Sequence, residues 1–293
     1  MEHCKLLIIG AGAAGMSAAH SAWEHGIRDI LLVDSRACPG GILPQCSHRG
    51  FGKALFGEEK TGPEYAAFLS SQLTESGVPF LPETDVLSVS PDRTALLSSR
   101  GGLRETGFEH LILATGCRER SIGELPVCGS RPAGIFTAGQ IQEQLNLRQR
   151  RPSGRILILG SGDLGLIMAG QLHDAGCDVV AVVEQSGRCG GLSRNYHRFL
   201  EPTGIPLMLR TTVTEVCGQG RLTGVKLRQL DTGKTINLDC NILITAVGLV
   251  PDQALIRRLG RPEWLHLGGN CHHVHELVDS AVQEARSVGA AIA

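Results

Sequence analysis

Four continuous apolar runs organise the chain, and each of them ends at a glycine or an acidic residue. They are residues 5–10 (KLLIIG), 30–34 (ILLVD), 155–160 (RILILG) and 178–184 (DVVAVVE). An unbroken apolar run of this length is typical of a strand that is buried on both faces of a parallel sheet. The pattern therefore predicts an α/β protein built on parallel strands.

A glycine-rich turn follows the first of these strands. Gly10, Gly12 and Gly15 stand in G-x-G-x-x-G spacing, and residues 16–25 form an alanine-rich segment that is predicted to be helical. The second strand then ends at Asp34. This order is typical of a dinucleotide-binding unit, in which the glycines admit the pyrophosphate and the acid binds a ribose hydroxyl.

The same unit occurs a second time. Gly160, Gly162 and Gly165 follow the third strand, and the fourth strand ends at Glu184, so that in each unit the acid comes 24 positions after the first glycine. One such motif also fits an ordinary glycine-rich turn, but two in the same order predict two dinucleotide sites. A carboxylate at Glu184 would repel the 2′-phosphate of NADP, so we expect NAD, while nearby Arg188 keeps NADP as the less favoured alternative.

The segments that follow each unit predict a helix and two closing strands. Thr61 and Glu64 have the spacing of a capping box, and an apolar stripe follows that we expect to pack in the core: Tyr65, Phe68, Leu69 and Leu73. Residues 110–116 (HLILATG) and 241–252 (NILITAVGLVPD) each predict a strand that runs into a glycine. The stretch from Val274 to Val288 predicts a final helix, with His275 on its first turn.

Composition and charge exclude several functions. Lys and Arg number 28 against 29 acidic residues, so we expect no contact with nucleic acid or with an anionic membrane surface. The N-terminal residues do not have the pattern of a signal peptide, and no run approaches the roughly 18 apolar residues of a membrane span, so we expect a cytoplasmic protein. The ten cysteines are scattered without a C-x-x-C pair, which disfavours a disulfide framework and a structural zinc site.

Three histidines near the C-terminus raise the question of a metal site. His272, His273 and His275 precede Glu276, but the first two are neighbours, and the sequence shows no second group of ligands to converge on them. Since a metal site needs a converging set of ligands, we expect none.

At this point the chain resembles the pyridine nucleotide-disulfide oxidoreductase superfamily, whose members contain two dinucleotide-binding domains. The segments 114–116 (ATG) and 247–252 (VGLVPD) look like the crossovers between an FAD domain and an inserted NAD domain. The resemblance implies two Rossmann-like domains, with residues 1–120 and 250–293 forming a split FAD-binding domain and residues 121–249 forming the NAD(P)-binding domain.

The motifs and the resemblance together imply the residues of both sites. For FAD they are Gly10, Gly12, Ala14, Gly15, Asp34, Gly41, Ile42, Gln45, Ala114, Thr115, Gly116, Asn270 and His275. For NAD they are Gly160, Gly162, Asp163, Leu164, Gly165, Glu184 and Gly248. Relatives carry an acid that meets the flavin ribityl chain at the position of Asn270, whose neutral amide still hydrogen-bonds a hydroxyl.

Cys46 and His48 are the candidate catalytic pair. A lone thiol beside a histidine can form a sulfenic acid or a flavin adduct, and the alternative is that Cys46 packs as a small apolar residue beside the flavin. We favour packing, because a reactive thiolate needs an electropositive site, which the sequence does not show. The two-cysteine arrangements of the disulfide reductases in this superfamily are absent from the sequence. Dithiol chemistry is therefore not expected.

Four segments narrow the resemblance. Residues 40–52, 61–66, 134–139 and 274–279 are similar to the small FAD/NAD subunits of multi-component dehydrogenases, namely those associated with glycerol-3-phosphate dehydrogenase, opine oxidase, hydroxyproline dehydrogenase and hydrogen cyanide synthase. The resemblance implies hydride transfer between NAD(H) and FAD, with a partner flavoprotein or iron-sulfur protein completing the reaction. The alternatives are a self-contained NADH:acceptor reductase that uses Cys46 and a non-catalytic subunit that only holds FAD.

Overall fold

The structure is a computed structural model that describes residues 2–292, and it divides into two compact units. The first unit comprises residues up to 118 together with those from 250 onward, and the second comprises residues 119–249. Buried apolar strands lie at the centre of each unit, as the continuous apolar runs predict.

The elements are numbered in chain order. The strands are β1 (Glu2–Ile9), β2 (Ile30–Val33), β3 (Arg49–Phe51), β4 (Lys60–Thr61), β5 (Phe80–Leu81), β6 (Asp85–Val89), β7 (Thr94–Ser99), β8 (Gly102–Leu113), β9 (Cys117–Glu119), β10 (Cys128–Gly129), β11 (Ile135–Thr137), β12 (Arg155–Leu159), β13 (Asp178–Val183), β14 (Leu207–Met208), β15 (Thr211–Cys217), β16 (Gly224–Gln229), β17 (Thr235–Asp239), β18 (Ile242–Thr245), β19 (Leu249–Pro251) and β20 (Leu265–Leu267). The α-helices are α1 (Ala13–Glu24), α2 (Lys53–Phe56), α3 (Gly62–Ser76), α4 (Ala138–Asn146), α5 (Asp163–Asp174), α6 (Ser193–Asn195) and α7 (Val278–Ile292).

The first unit is built on a seven-stranded sheet in the order β5-β2-β1-β8-β7-β6, with β20 also paired to β8. Strands β5, β2, β1, β8 and β20 run parallel, whereas β7 and β6 continue as an antiparallel meander. Helices α1, α3 and α7 cover one face of this sheet, and α1 packs against both of the others. The carboxyl ends of β1 and β8 therefore meet at one edge, which is where ligands bind in open α/β sheets.

The second unit repeats this plan on a smaller scale. Its central sheet has five parallel strands in the order β11-β18-β12-β13-β14. A second sheet of four strands, in the order β10-β15-β16-β17, packs its apolar face on the other side of the core. The predicted α/β class with two Rossmann-like units is confirmed.

A local sequence signal explains the start of α3. Thr61 and Glu64 form the expected reciprocal capping box at the start of α3, and Tyr65, Leu69 and Leu73 of this helix are buried in the core. Antiparallel hairpins are formed by β7–β8 and by β16–β17. Among residues 2–292, no helix combines the length and the apolar character that crossing a membrane requires.

The start of the last helix differs from the prediction. Helix α7 begins at Val278, so His275 lies in the loop before the helix and not on its first turn. The prediction placed the helix start too early because the apolar residues from Val274 onward keep the helical spacing although the first of them lie in this loop. The loop is fixed instead by hydrogen bonds of Asn270 and Glu284, which helical periodicity does not reveal.

Candidate functional site

The first glycine-rich turn joins β1 to α1 in a form that only glycine permits. Gly10 has a φ of +103°, and a Cβ there would lie 2.4 Å from the carbonyl oxygen of Ala114 at the end of β8. A Cβ on Gly15 would lie 1.7 Å from the carbonyl oxygen of Gly10, so the third glycine lets the helix approach the strand. Gly12 is the N-cap of α1, which leaves the first backbone N–H groups of the helix to bind an anion.

Asp34 closes this turn from the end of β2. Its Oδ2 accepts the backbone N–H of Ala11 at 2.6 Å, and its Oδ1 accepts that of Arg36 at 2.8 Å. A carboxylate oxygen accepts more than one hydrogen bond, so Asp34 can also bind a ribose hydroxyl. Arg36 was missed by the sequence analysis; its guanidinium donates to the carbonyl of Gly41 at 2.8 Å and so fixes the loop beside the turn.

A cavity of about 890 Å³ extends from this turn to the start of α7 within the first unit. Its volume is in the range of about 300–1,000 Å³ that is typical of cofactor pockets. Its walls include most of the predicted FAD residues, namely Gly10, Gly12, Ala14, Asp34, Gly41, Ile42, Ala114, Thr115, Gly116, Asn270 and His275. A glycine turn at a helix N-terminus, an acid and a long cavity are what a flavin dinucleotide needs, so the residues present fit FAD.

The strand end at residues 114–116 is held in place against the second crossover. The hydroxyl of Thr115 donates to the carbonyl of Asp252 at 2.7 Å, and the N–H of Asp252 donates to the carbonyl of Gly116 at 3.0 Å. Both hydrogen bonds lie within the first unit. They fix the position of this strand end on the wall of the cavity.

Cys46, His48 and Gln45 do not belong to the described lining of the cavity. Cys46 and Gln45 are buried, and the Cys46 Sγ lies 3.5 Å from the carbonyl oxygen of Ile42. Burial raises the pKa of the Cys46 thiol to about 12, which keeps it protonated at neutral pH. The structure thus gives Cys46 the environment of a packing residue.

Asn270 and His275 lie on the wall of the cavity, next to the start of α7. The Asn270 side-chain oxygen accepts the backbone N–H of His275 at 3.0 Å, and its amide nitrogen lies 3.7 Å from the Cys117 Sγ. Asn270 therefore shapes the loop, and its amide is one of the polar groups on this wall. His275 contacts the cavity from the loop that precedes the helix.

Glu284 of α7 gathers the three histidines of this loop. Its Oε2 lies 2.9 Å from Nε2 of His275, and its Oε1 lies 2.6 Å from Nδ1 of His272 and 3.7 Å from Nδ1 of His273. Burial opposes the ionisation of Glu284, but hydrogen bonds from His272, His275 and the backbone of Gly269 lower its pKa below the ordinary value. The sequence analysis did not foresee that the helix brings a carboxylate, nine positions beyond His275, to these histidines.

The second unit repeats the turn of the first, with equivalent residues 150 positions apart. Gly160 has a φ of +107°, and a Cβ there would lie 2.3 Å from the carbonyl oxygen of Ala246. Glu184 occupies the position equivalent to Asp34. Its Oε2 accepts a hydrogen bond from the backbone N–H of Ser161 at 3.0 Å, and its Oε1 accepts one from the backbone N–H of Ser186 at 2.7 Å. Gly162 is the N-cap of α5, and Asp163 and Leu164 lie in the first turn of this helix. A Cβ on Gly165 would meet the carbonyl oxygen of Gly160. The last predicted NAD residue, Gly248, follows β18.

A second glycine pair was missed by the sequence analysis. Gly190 and Gly191 correspond to Gly40 and Gly41 at the same offset of 150 positions. The N–H of Gly191 donates to the carbonyl of Ser161 at 2.8 Å, so this loop folds over the second glycine turn. The constant offset is the signal that could have revealed the pair.

Comparison with known proteins gives the class. Residues 4–264 match the family described as pyridine nucleotide-disulphide oxidoreductase. The chain belongs to this family.

Two curated relatives are similar in sequence to this chain. The chain is 29% identical over 282 residues to hydrogen cyanide synthase subunit HcnB of Pseudomonas aeruginosa, a match that covers 87% of this chain and 59% of the relative. It is 31% identical over 208 residues to an opine oxidase subunit of Agrobacterium tumefaciens, covering 67% of this chain and 40% of the relative. The chain therefore spans about 40–60% of the length of these curated relatives.

Solved structures share the fold at low identity. The thioredoxin reductase of T. acidophilum superimposes with a TM-score of 0.79 at 19% identity, covering 100% of this chain and 98% of that one. At this level of identity the likeness shows the fold alone.

Proposed function

We propose that this chain transfers hydride between NAD(H) and FAD as the electron-transfer component of a multi-component dehydrogenase. The observation that carries the proposal is the duplicated turn: the same glycines, carboxylate and covering loop occur in both units at a constant offset. When bound, FAD supplies an isoalloxazine ring that exchanges hydride with a nicotinamide. The chain's own groups bind both dinucleotides, orient them and exclude water.

NAD is favoured over NADP at the second unit. The Glu184 carboxylate is held by the backbone N–H groups of Ser161 and Ser186 and by the Ser161 hydroxyl at 2.8 Å. A fixed negative charge at this strand end accepts hydrogen bonds from free ribose hydroxyls and repels a 2′-phosphate. Arg188 lies exposed on the following loop and is the cation that would serve NADP if the preference were reversed.

A partner protein is the expected source or acceptor of the electrons. The ten cysteines are all free, and burial raises the pKa of Cys46 to about 12, so the thiol of the candidate catalytic pair is not poised to relay electrons. Two of the relatives are named as subunits, of hydrogen cyanide synthase and of opine oxidase. These observations support a partner flavoprotein or iron-sulfur subunit.

The test uses anaerobic mixing of the FAD-loaded protein with NADH and, separately, with NADPH, followed by flavin absorbance. A matched pair of variants separates the two sites. Asp34→Ala should lower the FAD content, whereas Glu184→Ala should retain FAD but need about 10-fold to 100-fold more NADH for half-maximal reduction. That range corresponds to the roughly 1.5–3 kcal/mol of a hydrogen bond to a charged group.

The outcomes distinguish the alternatives. Absence of flavin reduction by either nucleotide in the FAD-loaded protein would refute the NAD-linked proposal and leave a subunit that only holds FAD. Rapid NADH oxidation by the isolated chain with a small acceptor, lost in Cys46→Ser, would favour the self-contained reductase. Equal rates of flavin reduction by NADH and NADPH would refute the argument that Glu184 selects NAD.

A further inference from the structure

The loop before α7 and the helix itself bring two imidazoles to one carboxylate oxygen. His272 and His273 follow the short turn Gly269–Cys271, while Glu284 lies in the second turn of α7 and points back to them. One ligand atom from each of the three side chains lies within 4.8 Å of the other two. Two chain segments that are separated in sequence therefore converge on one point.

The carboxylate is held from behind by groups that do not belong to this convergence. Its Oε2 accepts the backbone N–H of Gly269 at 2.8 Å and lies 2.9 Å from Nε2 of His275, whose side chain is only 10% exposed. These contacts fix the plane of the carboxylate and leave Oε1 directed at His272 and His273. Metal sites use the same device, because an outer group that holds a ligand preorganises it for the ion.

The donor set selects the class of ion. Two imidazole nitrogens and one carboxylate oxygen suit Zn²⁺, Co²⁺ and Ni²⁺, whereas Mg²⁺ and Ca²⁺ prefer oxygen ligands throughout. The side chains of His272 and His273 are 42% and 59% exposed, so water can reach the remaining coordination positions.

The geometry needs only a small adjustment. Bonds of about 2.0–2.2 Å at tetrahedral angles place the ligand atoms roughly 3.3–3.5 Å apart. The separation of 3.7 Å between His273 and Glu284 is already close to this value, and the 2.6 Å between His272 and Glu284 must open by less than about 1 Å. The His272 side chain is 42% exposed, so its ring has room to rotate by this amount.

We propose that His272, His273 and Glu284 form a binding site for one divalent transition-metal ion of the zinc class. The site is separate from the dinucleotide turns and does not depend on the NAD-linked activity. Bound metal would join the loop at Gly269–Cys271 to α7, so metal binding should raise the thermal stability of the protein.

The experiment measures metal binding directly in the full-length, FAD-loaded protein. After treatment with a chelator, the protein is dialysed against Zn²⁺, and the bound metal is counted by elemental analysis. In parallel, Co²⁺ is titrated and its visible ligand-field bands are followed at wavelengths beyond the flavin absorption. We expect one ion per chain and a reduction in affinity of at least tenfold in His272→Ala and in His273→Ala.

Two controls make the result specific. Neither His272 nor His273 belongs to the described lining of the flavin cavity, so both variants should keep their FAD and serve as folded proteins. His197→Ala removes a histidine that lies 2.8 Å from Glu201 and that forms no three-ligand cluster within residues 2–292, and it should leave metal binding unchanged.

The proposal is overturned if the wild type retains no more Zn²⁺ than the double variant of His272 and His273. His272 and His275 would then serve only as hydrogen-bond partners that orient Glu284. Because metal retention is measured without NADH, this failure would leave the proposed hydride transfer untouched. Metal that binds equally to all variants would belong to exposed thiols such as Cys38 and Cys128, and it would also overturn the site.

Discussion

Cys46 lies beside the flavin cavity but in surroundings that suppress its reactivity. The residue is 8% exposed, and burial raises the pKa of its thiol from 9.0 to about 12. The thiolate is the reactive form of cysteine. We therefore expect Cys46 to be inert towards alkylation and dispensable for flavin reduction.

The size of the effect follows from the pKa. At pH 8, a thiol with a pKa of about 12 is ionised in about one molecule in ten thousand, compared with about one in ten for a pKa of 9.0. Alkylation of Cys46 in the folded protein should thus be slower by about a thousandfold than in the unfolded chain. Restricted access adds to this factor.

The assay follows iodoacetamide labelling of the FAD-loaded protein by peptide mass spectrometry, with the urea-unfolded chain as reference. Cys38 is exposed on the same loop and reports whether the reagent is active. Cys46→Ser retains a donor for the carbonyl of Ile42 and should keep both FAD content and the rate of flavin reduction by NADH within about twofold. Labelling of Cys46 as fast as in the unfolded chain, or loss of reduction in a serine variant that keeps FAD, would refute this reasoning.

Three further predictions test the fold and the second site. Thr61→Ala removes the capping box of α3 and should lower the free energy of unfolding by about 1 kcal/mol in urea titrations, while Thr61→Ser should not. Gly160→Ala places a Cβ about 2.3 Å from the Ala246 carbonyl and should abolish NADH-dependent reduction while FAD content stays normal; unchanged NADH affinity would contradict it. The pKa of the Cys46 thiol is near 9.0 in the unfolded chain and about 12 in the folded chain. Above pH 9.0 the free energy of unfolding should therefore fall by about 1.4 kcal/mol per pH unit from this group. A free energy of unfolding that does not change with pH in this range would contradict the prediction.

The glycine turns could be predicted because their backbone conformation and close contacts require glycine at fixed positions. A φ of +103° at Gly10 and the close approach of the Ala114 carbonyl tolerate only glycine, so the sequence pattern carries the backbone geometry. The same holds for Gly160. The acids at Asp34 and Glu184 follow buried strands, and the strand ends determine where their carboxylates lie.

The C-terminal cluster could not be predicted in this way. Glu284 meets His272 and His275 only because the loop folds back along α7, and neither helical period nor residue spacing encodes that return. The start of α7 was misplaced for the same reason, since Val274 continues the apolar pattern although its backbone is not helical. Long-range hydrogen bonds of the loop determine both the position of Glu284 relative to the histidines and the start of α7.

The two turns differ at one position that matters for binding. The first turn of α1 carries no acid, with Ala13 after the second glycine, whereas Asp163 stands at the corresponding position of α5. The Asp163 carboxylate accepts the N–H of Leu192 at 2.7 Å and the amide of Asn195 at 2.8 Å, which holds the covering loop over the helix start. It also adds negative charge where a pyrophosphate would bind, so the second unit should hold its dinucleotide less tightly than the first. This difference fits the proposed function, in which the flavin stays bound in the first unit while the nicotinamide dinucleotide exchanges at the second.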